Sequence, residues 1–197
     1  MKKIASPLFQ DLSEAELDTL AAAGHLRTRQ FAKHEVIFHA GSCVREIGIV
    51  LRGSVHIENL DLWGTKSILS SVGAGQAFAE TYAFCGEALM VDAVAAEHCE
   101  ILFLHTAALT DARIEPALQD KLLRRLLAVS MRKNLSLSQR IFCTTPKTVR
   151  GRLLTYFSAQ AARCGRMAFE VPFNRQQMAD YLNLDPVSYT HLRAHET

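Results

Sequence analysis

The distribution of glycine is the feature that most constrains the fold of this chain. Eight of its ten glycines lie between positions 24 and 86, and only Gly151 and Gly165 follow. Short strands with turn signals at intervals of about eight to twelve residues are typical of a β-sandwich or barrel. We therefore predict a β-domain over residues 31–104. Its strands are expected at five short runs of alternating character: Glu35–Phe38, Ile47–Leu51, Ser54–Glu58, Ser67–Ser70 and Glu100–Leu104.

A short helix is predicted ahead of these strands. Ser13 stands immediately before a run of helix-forming residues, and Glu16 follows three positions later. In this pattern the serine hydroxyl accepts a hydrogen bond from the glutamate backbone N–H, and the glutamate carboxylate accepts one from the serine backbone N–H. The pair therefore predicts a capping box at the start of the helix.

A long helix is predicted after the β-domain, because neither glycine nor proline occurs between Pro116 and Phe142. Such a helix would be roughly 40 Å long. Its apolar residues fall on two faces, whereas a helix that lies on one core needs one stripe. Two interpretations stay open: a core helix of a monomer, or a helix that also contacts a partner chain. For the second, we predict a homodimer interface at Leu122, Leu126 and Val129; the other stripe comprises Leu123, Leu127, Leu137 and Ile141.

Two further helices are predicted near the C-terminus. Thr145 is a suitable N-cap with Pro146 at the first helical position, and Gly165 is placed to end that helix. After an extended segment at Phe169–Phe173, Asn174 is expected to cap a second, shorter helix, with Gln177 three positions later.

The net charge of +2 conceals a division of charge along the chain. Residues 1–110 contain 8 Lys and Arg against 13 Asp and Glu, a net charge of −5. Residues 111–186 contain 13 against 6, a net charge of +7, and residues 187–197 contribute none. A basic half of this kind predicts an anionic partner such as nucleic acid.

The cysteines and the hydropathy pattern indicate the compartment. The five cysteines are scattered and odd in number, and residues 1–10 lack the apolar core of a signal peptide. We therefore expect reduced thiols in a cytoplasmic protein. No run of about eighteen apolar residues occurs, so no membrane partner is predicted.

Three stretches carry a resemblance to a known family. They are Ile49–Val55, the run Gly73–Glu80 with its Gly-x-Gly-x-x-Phe-Ala-Glu pattern, and Pro172–Leu182. In their order and spacing, residues 8–186 resemble the cyclic-AMP receptor protein/fumarate-nitrate regulator (Crp/Fnr) family of bacterial transcription factors. The resemblance implies an α+β fold: an N-terminal cyclic-nucleotide-binding-type β jelly roll, a long dimerisation helix and a winged helix-turn-helix.

The resemblance also implies a domain organisation. Residues 1–110 would form the sensor jelly roll, 111–143 the dimerisation helix, and 144–186 an incomplete winged helix-turn-helix. A small-molecule or redox signal in the sensor would be relayed through the dimer helix to DNA. Residues 187–197 resemble translated sequencing-adapter sequence, and we expect this tail not to be native.

An effector pocket is implied at the turn that follows the Gly-x-Gly run. Family members that bind cyclic nucleotides hold the phosphate with an Arg-Ser or Arg-Thr pair, but Met90 and Val91 stand at the corresponding positions. An anionic phosphate would meet no guanidinium there, so we expect that cyclic AMP does not bind tightly. Apolar residues suit a less polar, unidentified effector. The candidate pocket residues are Phe78, Ala79, Glu80, Thr81, Tyr82, Met90 and Val91.

Metal cofactors are not predicted. The oxygen-sensing branch of the family holds an iron–sulfur cluster on cysteines near the N-terminus, but residues 1–42 contain none. Nothing specific supports a haem. His34, His39 and His56 are expected on strand faces rather than as ligands, and Cys85 is expected to be a small buried residue rather than a reactive thiol.

The resemblance implies DNA contacts at the first helix of the helix-turn-helix. The contacts would come from Asn174, Arg175, Gln176 and Gln177. These residues open the helix, and its amino end is the part that contacts phosphate. The family's recognition helix would follow Asp185, where the adapter-like tail begins instead. We therefore expect this chain to bind DNA weakly and without sequence preference.

Two other functions are consistent with parts of the sequence. A cupin-like metal-dependent enzyme is also a small glycine-rich β-barrel, but His56-Ile57-Glu58 supplies one histidine where such a site needs two. A sensor or dimerisation module without DNA binding is the other alternative. No catalytic residues are proposed, because no nucleophile–base pair, paired carboxylates or phosphate-cradling loop occurs, and we predict a non-enzyme.

Overall fold

The computed structural model of the chain describes residues 4–60, 66–166, 168–171 and 175–184. The chain divides into two compact units, Met1–Ser130 and Met131–Thr197, and the division falls within the longest helix. The five helices are α1 Glu14–Ala22, α2 Glu80–Cys85, α3 Pro116–Thr144, α4 Val149–Cys164 and α5 Arg175–Tyr181. The eight strands are β1 Leu26–Phe31, β2 Val36–Phe38, β3 Glu46–Arg52, β4 Ser54–Leu60, β5 Lys66–Gly73, β6 Ala77–Phe78, β7 Asp92–Ala95 and β8 Cys99–His105.

The first unit is a sandwich of two antiparallel sheets. One sheet has the strand order β1-β8-β3-β6 and the other has the order β2-β7-β4-β5. All five strands predicted from the alternating runs are present, and β1, β6 and β7 complete the sheets. The predicted β jelly roll followed by a long helix is therefore confirmed, while the winged helix-turn-helix stays a prediction.

Two apolar cores give the first unit three layers. The inner core lies between the sheets and contains inward-facing side chains from all eight strands. The outer core packs helical residues of α1 and α3 onto the other face of the sheet that contains β3 and β8. Because alternate residues of a strand face opposite sides, β8 serves both cores: Ile101 and Phe103 face the inner core, and Leu102 and Leu104 face the outer one.

The start of α1 confirms the predicted capping box. The Ser13 hydroxyl accepts a hydrogen bond from the Glu16 backbone N–H, and the Glu16 carboxylate accepts one from the Ser13 backbone N–H at 2.7 Å. The same carboxylate accepts a hydrogen bond from Lys121 Nζ on α3 at 2.6 Å, and this bond is the largest reason that the pKa of Glu16 lies below its usual range. Glu16 therefore caps its own helix and joins it to α3.

The second unit contains the end of α3 together with α4 and α5. The predicted glycine at the end of α4 is confirmed, since Gly165 adopts a left-handed φ of 66°. The prediction that Thr145 caps α4 is wrong. The Thr145 hydroxyl donates to the Ile141 carbonyl of α3, and Thr148 is the cap, accepting a hydrogen bond from the Gly151 N–H at 3.0 Å.

Three predictions fall on parts of the chain outside the described residues. They concern the cap at Asn174, the last two residues of the extended segment before it (172 and 173), and the tail at 187–197. Among the helices of the described residues, none has both the length and the hydrophobicity needed to cross a membrane.

Candidate effector site and exposed helical surface

The turn after β6 is shaped by two residues in left-handed conformation. Ala79 has a φ of 62° and immediately precedes α2, and Gly86 has a φ of 73° and ends it. At the end of α2 the Gly86 N–H donates to the Tyr82 carbonyl at 2.8 Å. Left-handed backbone is disfavoured for alanine because of its Cβ, so the surrounding fold holds Ala79 in a strained conformation.

The loop after α2 is fastened to the turn between β2 and β3. The Gly41 N–H donates to the Leu89 carbonyl at 2.7 Å, and the Leu89 N–H donates to the Ser42 carbonyl at 3.0 Å. The Ala40 N–H donates to the Asp92 carboxylate at 2.7 Å where β7 begins. The candidate effector site is therefore a short helix held between two backbone anchors.

Four phenylalanines fill the inner core beneath this turn. We call Phe31, Phe38, Phe78 and Phe103 the phenylalanine cluster, and all four are buried. Ring centroids are 5.8 Å apart for Phe38 and Phe78, 5.6 Å for Phe38 and Phe103, and 6.1 Å for Phe31 and Phe103. These separations are those of packed aromatic pairs.

Gly48 allows the closest approach in this cluster. A Cβ atom at position 48 would lie 2.2 Å from the Phe78 ring, well inside van der Waals contact. The ring therefore lies directly on the β3 backbone, which only glycine permits at this position. The space between the sheets beneath the turn is occupied by the protein's own side chains.

The seven predicted pocket residues do not share one environment. Phe78 and Glu80 are buried, Ala79 and Tyr82 are half-buried against the inner core, and Val91 is also half-buried. Two members point to solvent: Thr81 is exposed, and the Met90 side chain is 77% exposed. Met90 therefore does not contribute to an apolar interior, because it lies in the loop beyond the anchor at Leu89.

Two arginines that the sequence analysis did not select lie on the inner-core face of β1. Arg27 Nε donates to Glu46 Oε1 at 2.6 Å, and its guanidinium stacks 4.3 Å from the centre of the Phe103 ring. The hydrogen bond with Glu46 is the largest cause of the raised pKa of Arg27. Arg29 donates to Glu35 Oε1 at 2.8 Å. Both cations are paired with carboxylates. Their alternate spacing along β1 is a signal that the sequence carries, but Glu46 lies 19 residues from Arg27, beyond a local pattern.

The cysteines differ in exposure from the prediction. Cys85, expected to be buried, is exposed at the last position of α2, immediately before the Gly86 C-cap. Cys43 is also exposed, and its backbone forms a β-bridge with Ala88 of the adjacent loop. Cys99 and Cys143 are buried, and burial raises the pKa of each thiol.

The histidines predicted on strand faces make no cluster with metal-ligating geometry in the described ranges, where no group of three or more His, Cys, Asp or Glu side chains converges. His56 Nδ1 lies 3.8 Å from Glu58 Oε1 on the same face of β4. His39 Nδ1 lies 4.0 Å from Asp92 Oδ1. Two of the three differ from the prediction: His34 occupies a turn with a φ of 68°, and His39 follows the end of β2 rather than lying in a strand.

The long helix α3 presents different faces to the core and to solvent. Leu118, Leu122 and Leu126 are buried in the outer core of the first unit. Leu122 and Leu126 were predicted at the dimer interface, but they are 1% and 6% exposed and pack within their own chain. Val129, the third predicted interface residue, is half-buried.

Apolar side chains of α3 outside the buried stripe are exposed. In the first unit Leu123 and Leu127 are 47% and 57% exposed. In the second unit the exposed large apolar residues of this helix are Met131, Leu135, Leu137, Ile141 and Phe142. Exposed apolar patches of this extent mark interaction surfaces. The stripe of Leu123, Leu127, Leu137 and Ile141, and not the predicted interface residues, is therefore accessible to a partner.

The residues predicted to contact DNA lie at the start of α5. The helix begins at Arg175, and Asn174 precedes the described helix. Gln176 is exposed, and its Nε2 donates to Asp180 Oδ1 at 2.9 Å, one turn further along the same helix face. Gln177 is also exposed.

The comparisons with known proteins agree with this architecture. Residues 28–113 match the family model described as the cyclic nucleotide-binding domain. The first unit has a cyclic nucleotide-binding domain fold. None of the curated proteins matches the sequence.

Solved structures similar to this chain extend the likeness beyond the sandwich. A cyclic nucleotide-binding domain from Methylobacillus flagellatus is 20% identical over 72% of this chain and 79% of its own, with a TM-score of 0.60. The N-terminal domain of a transcriptional regulator from Streptomyces coelicolor is 22% identical over 66% and 91%, with a TM-score of 0.54. The catabolite activator protein of Thermus thermophilus is 23% identical over 96% and 86%, with a TM-score of 0.52.

Proposed function

We propose that this chain is a non-enzymatic, DNA-binding transcriptional regulator of the Crp/Fnr type, which acts as a homodimer. The observation that carries the proposal is the order of parts: a cyclic nucleotide-binding sandwich, a long helix with an exposed apolar stripe, and a helical unit with basic residues. The catabolite activator protein of Thermus thermophilus is similar over 96% of this chain, and this agrees with the proposed order of parts.

The sensor is proposed to respond to a small molecule other than a cyclic nucleotide. A cyclic nucleotide brings a phosphate that needs a cation and a base that needs space. Met90 and Val91 supply no cation, Arg27 and Arg29 are bound to carboxylates, and the phenylalanine cluster fills the inner core. An apolar or aromatic effector that displaces part of the cluster fits this chemistry better.

The dimer is proposed to form through the exposed stripe of α3. Leu122 and Leu126 are committed to the outer core, so the interface is better assigned to Leu123, Leu127 and the exposed apolar residues that continue the stripe. Burying such side chains against a second copy would remove on the order of 100 Å² of surface for each, at a gain of about 25 cal/mol per Å².

Contact with DNA is proposed through the basic second unit. Lys147 and Arg150 are exposed beside the start of α4, and Arg175, Gln176 and Gln177 open α5. Arg152 is excluded from this set, because its guanidinium donates to three backbone carbonyls of the same unit. Phosphate contacts of this kind bind DNA without reading its sequence.

The salt dependence of DNA binding tests this proposal. We expect the full chain to bind a duplex of mixed sequence weakly, with an affinity that falls steeply as salt rises, in fluorescence anisotropy. The double variant Lys147→Ala and Arg150→Ala should reduce the slope of log K against log salt concentration by about 2, since each lost phosphate contact removes about 0.9.

A matched double variant controls for net charge. Lys33 and Arg45 are exposed on the first unit, so replacing both by alanine changes the charge equally without touching the proposed contact surface. An equal fall in slope for the two double variants would contradict a DNA-facing second unit. Absence of any binding at low salt would favour the alternative, a sensor and dimerisation module that works without DNA.

A further inference from the structure

The second unit contains a small cavity between its three helices. The residues that line it come from the end of α3, from α4 and from α5, and all of them belong to this unit. The cavity has a volume of about 40 Å³. Because one water molecule needs roughly 10–15 Å³, there is room for about three or four non-hydrogen atoms.

The floor of the cavity is aromatic and largely apolar. Cys143 and Tyr156 line it and are 3% and 2% exposed, and the half-buried Tyr181 lies beside them. The two tyrosine rings pack edge to face, with their centres 5.7 Å apart. A methyl group suits this floor, because apolar surface gains free energy when it leaves water.

The tyrosine hydroxyls are protonated at neutral pH. Burial is the largest cause that raises the pKa of Tyr156 and the pKa of Tyr181 above their usual range. The positive charge of Arg163 acts on both pKa values in the opposite direction, as expected for a guanidinium close to both side chains. Neutral phenols beside a guanidinium can donate hydrogen bonds to the oxygen atoms of a ligand.

The mouth of the cavity is polar and positively charged. Gln139 and Arg163 line the cavity and are also exposed to solvent, and Gln160 is half-buried in its wall. Each amide supplies two N–H donors, and the guanidinium supplies five. Among the described residues that line the cavity there is neither aspartate nor glutamate. A single cation with several neutral donors favours a ligand that carries one negative charge.

We propose that this cavity binds a short-chain monocarboxylate, with acetate as the size that fills it. The carboxylate accepts hydrogen bonds at the mouth from Arg163 and from the amides of Gln139 and Gln160. The methyl group packs on the floor against Tyr156 and Tyr181. An inorganic oxyanion would place only polar atoms against the aromatic floor, and polar atoms buried without partners cost free energy. Because the lining comes from three helices, binding favours their packed arrangement.

Saturation-transfer NMR of the full chain with sodium acetate tests this inference, with sodium chloride used to hold the ionic strength constant. We expect saturable transfer to the methyl protons with a dissociation constant of the order of 1 mM, because a ligand of about four non-hydrogen atoms forms only a weak complex. The absence of saturable transfer up to about 50 mM acetate would overturn the proposal.

Two competitors test the chemical class of the ligand. Acetamide has the shape of acetate without its charge, and nitrate has the charge without a methyl group. Each should displace acetate at least tenfold more weakly than propionate does. Nitrate that competed as well as propionate would overturn the assignment to a carboxylate, and acetamide that did so would overturn the role of the guanidinium.

A charge variant tests the mouth of the cavity. Arg163→Gln should raise the dissociation constant of acetate at least tenfold, because it removes the only cation of the described lining. Arg166→Gln is the matched control, since Arg166 is exposed in the same unit and lies outside the lining. Equal weakening by the two variants would show general attraction to a basic unit and would overturn the site.

A second pair of variants tests the location of the bound acid. Ala159→Leu enlarges a side chain that lines the cavity, and we expect it to abolish the binding of acetate. Ala162→Leu adds the same atoms at an exposed position of α4 outside the lining, and it should leave binding unchanged. Circular dichroism melts check that each variant is folded. Unchanged binding in a folded Ala159→Leu variant would place the acid elsewhere and overturn the proposal.

The outcomes are independent of the proposed function, which does not require this cavity. A chain that binds DNA but not acetate would overturn only the carboxylate site. A chain that binds acetate in the cavity but not DNA would overturn the proposed regulator and leave the site intact.

Discussion

Two arginines of the second unit act on the same helix end. Arg140 Nε donates to the Tyr181 carbonyl at 3.0 Å, and Arg152 donates to the carbonyls of Leu182 and Asn183 at 3.1 and 2.6 Å. The last carbonyls of a helix have no partner within the helix and carry partial negative charge. These guanidiniums satisfy them, and this explains how a helix of seven residues is held in place.

Replacing Arg152 should therefore destabilise the second unit. We expect Arg152→Ala to lower the free energy of unfolding by about 2–3 kcal/mol, since it removes charged hydrogen bonds and leaves carbonyls without donors. Arg150→Ala, two positions away and exposed, should change it by less than about 0.5 kcal/mol. Urea unfolding followed by circular dichroism measures both. Equal effects of the two substitutions would contradict the role of Arg152.

An ion pair joins His25, the residue before β1, to Asp111 in the segment that leads into α3. Asp111 accepts hydrogen bonds from the Arg113 side chain and backbone, and its Oδ2 lies 2.6 Å from Nε2 of the buried His25. The bonds from Arg113 are the largest causes that hold the pKa of Asp111 well below its usual range, and His25 adds to them. The carboxylate is therefore stabilised in the folded chain.

This lowered pKa predicts a pH dependence of stability. Because the folded state holds Asp111 ionised more strongly than the unfolded state does, its contribution is complete above about pH 4 and is lost as the pH falls further. Asp111→Asn should destabilise the protein near pH 7, and the difference from the unchanged chain should shrink between about pH 4 and pH 2. Urea unfolding across this range measures it.

Asp120→Asn is the control for this pH series. Asp120 pairs with Arg124 one helical turn away, and its side chain is 57% exposed, where ion pairs contribute little. We expect a small difference from the unchanged chain at every pH. A difference for Asp111→Asn that stayed constant on acidification would show that its carboxylate charge is not what stabilises the fold.

At the scale of elements, adjacent leucines of α3 lie in different environments. Leu122 is 1% exposed in the outer core, whereas Leu123 is 47% exposed. Leu122→Ala should lower the free energy of unfolding by about 3 kcal/mol, because it leaves a cavity. Leu123→Ala should change it little at low protein concentration but raise the dissociation constant of the dimer about tenfold.

Unfolding in dilute solution and sedimentation equilibrium separate these two effects. The pair is matched, since both variants remove the same atoms from neighbouring positions of one helix. A loss of self-association with Leu122→Ala alone, in a chain that remains folded, would return the interface to the face first predicted from the sequence.

The elements that could be predicted from sequence are those fixed by local chemistry. The capping box of Ser13 and Glu16 spans four residues, and its hydrogen bonds form wherever a helix begins there. The short strands were found because period-two alternation follows directly from strand geometry. Helix end points were less certain: Thr145 and Thr148 are both acceptable caps, and the bond from Thr145 back to Ile141 decides between them.

The candidate site could be predicted only in outline, because it depends on long-range packing. The sequence located the turn at Ala79 and Glu80 but not which side chains face the interior, and Met90 was assigned inward although it is exposed. The two leucine stripes of α3 are equivalent in spacing, so sequence alone could not tell which one meets the sheet. Glu46, the partner of Arg27, lies 19 residues away, and the carbonyls of Leu182 and Asn183 that Arg152 bonds lie 30 and 31 residues away, beyond any local pattern.

At the scale of the whole molecule, the first unit has a fold named after a ligand that its interior does not suit. The first unit has the cyclic nucleotide-binding fold. Its interior, however, is packed with phenylalanine rings, and the loop after α2 presents methionine and valine where a phosphate would need a cation. We therefore expect the close-packed side chains to leave a polar nucleotide neither space nor charge partners. Under the proposed function, the sensor would respond to a different signal.

Isothermal titration calorimetry of the full chain with cyclic AMP and cyclic GMP tests this claim most directly. We expect no saturable heat of binding for either nucleotide at concentrations up to about 1 mM, a range that detects even weak complexes. Binding of one nucleotide per chain with a dissociation constant of about 10 μM or tighter would contradict it.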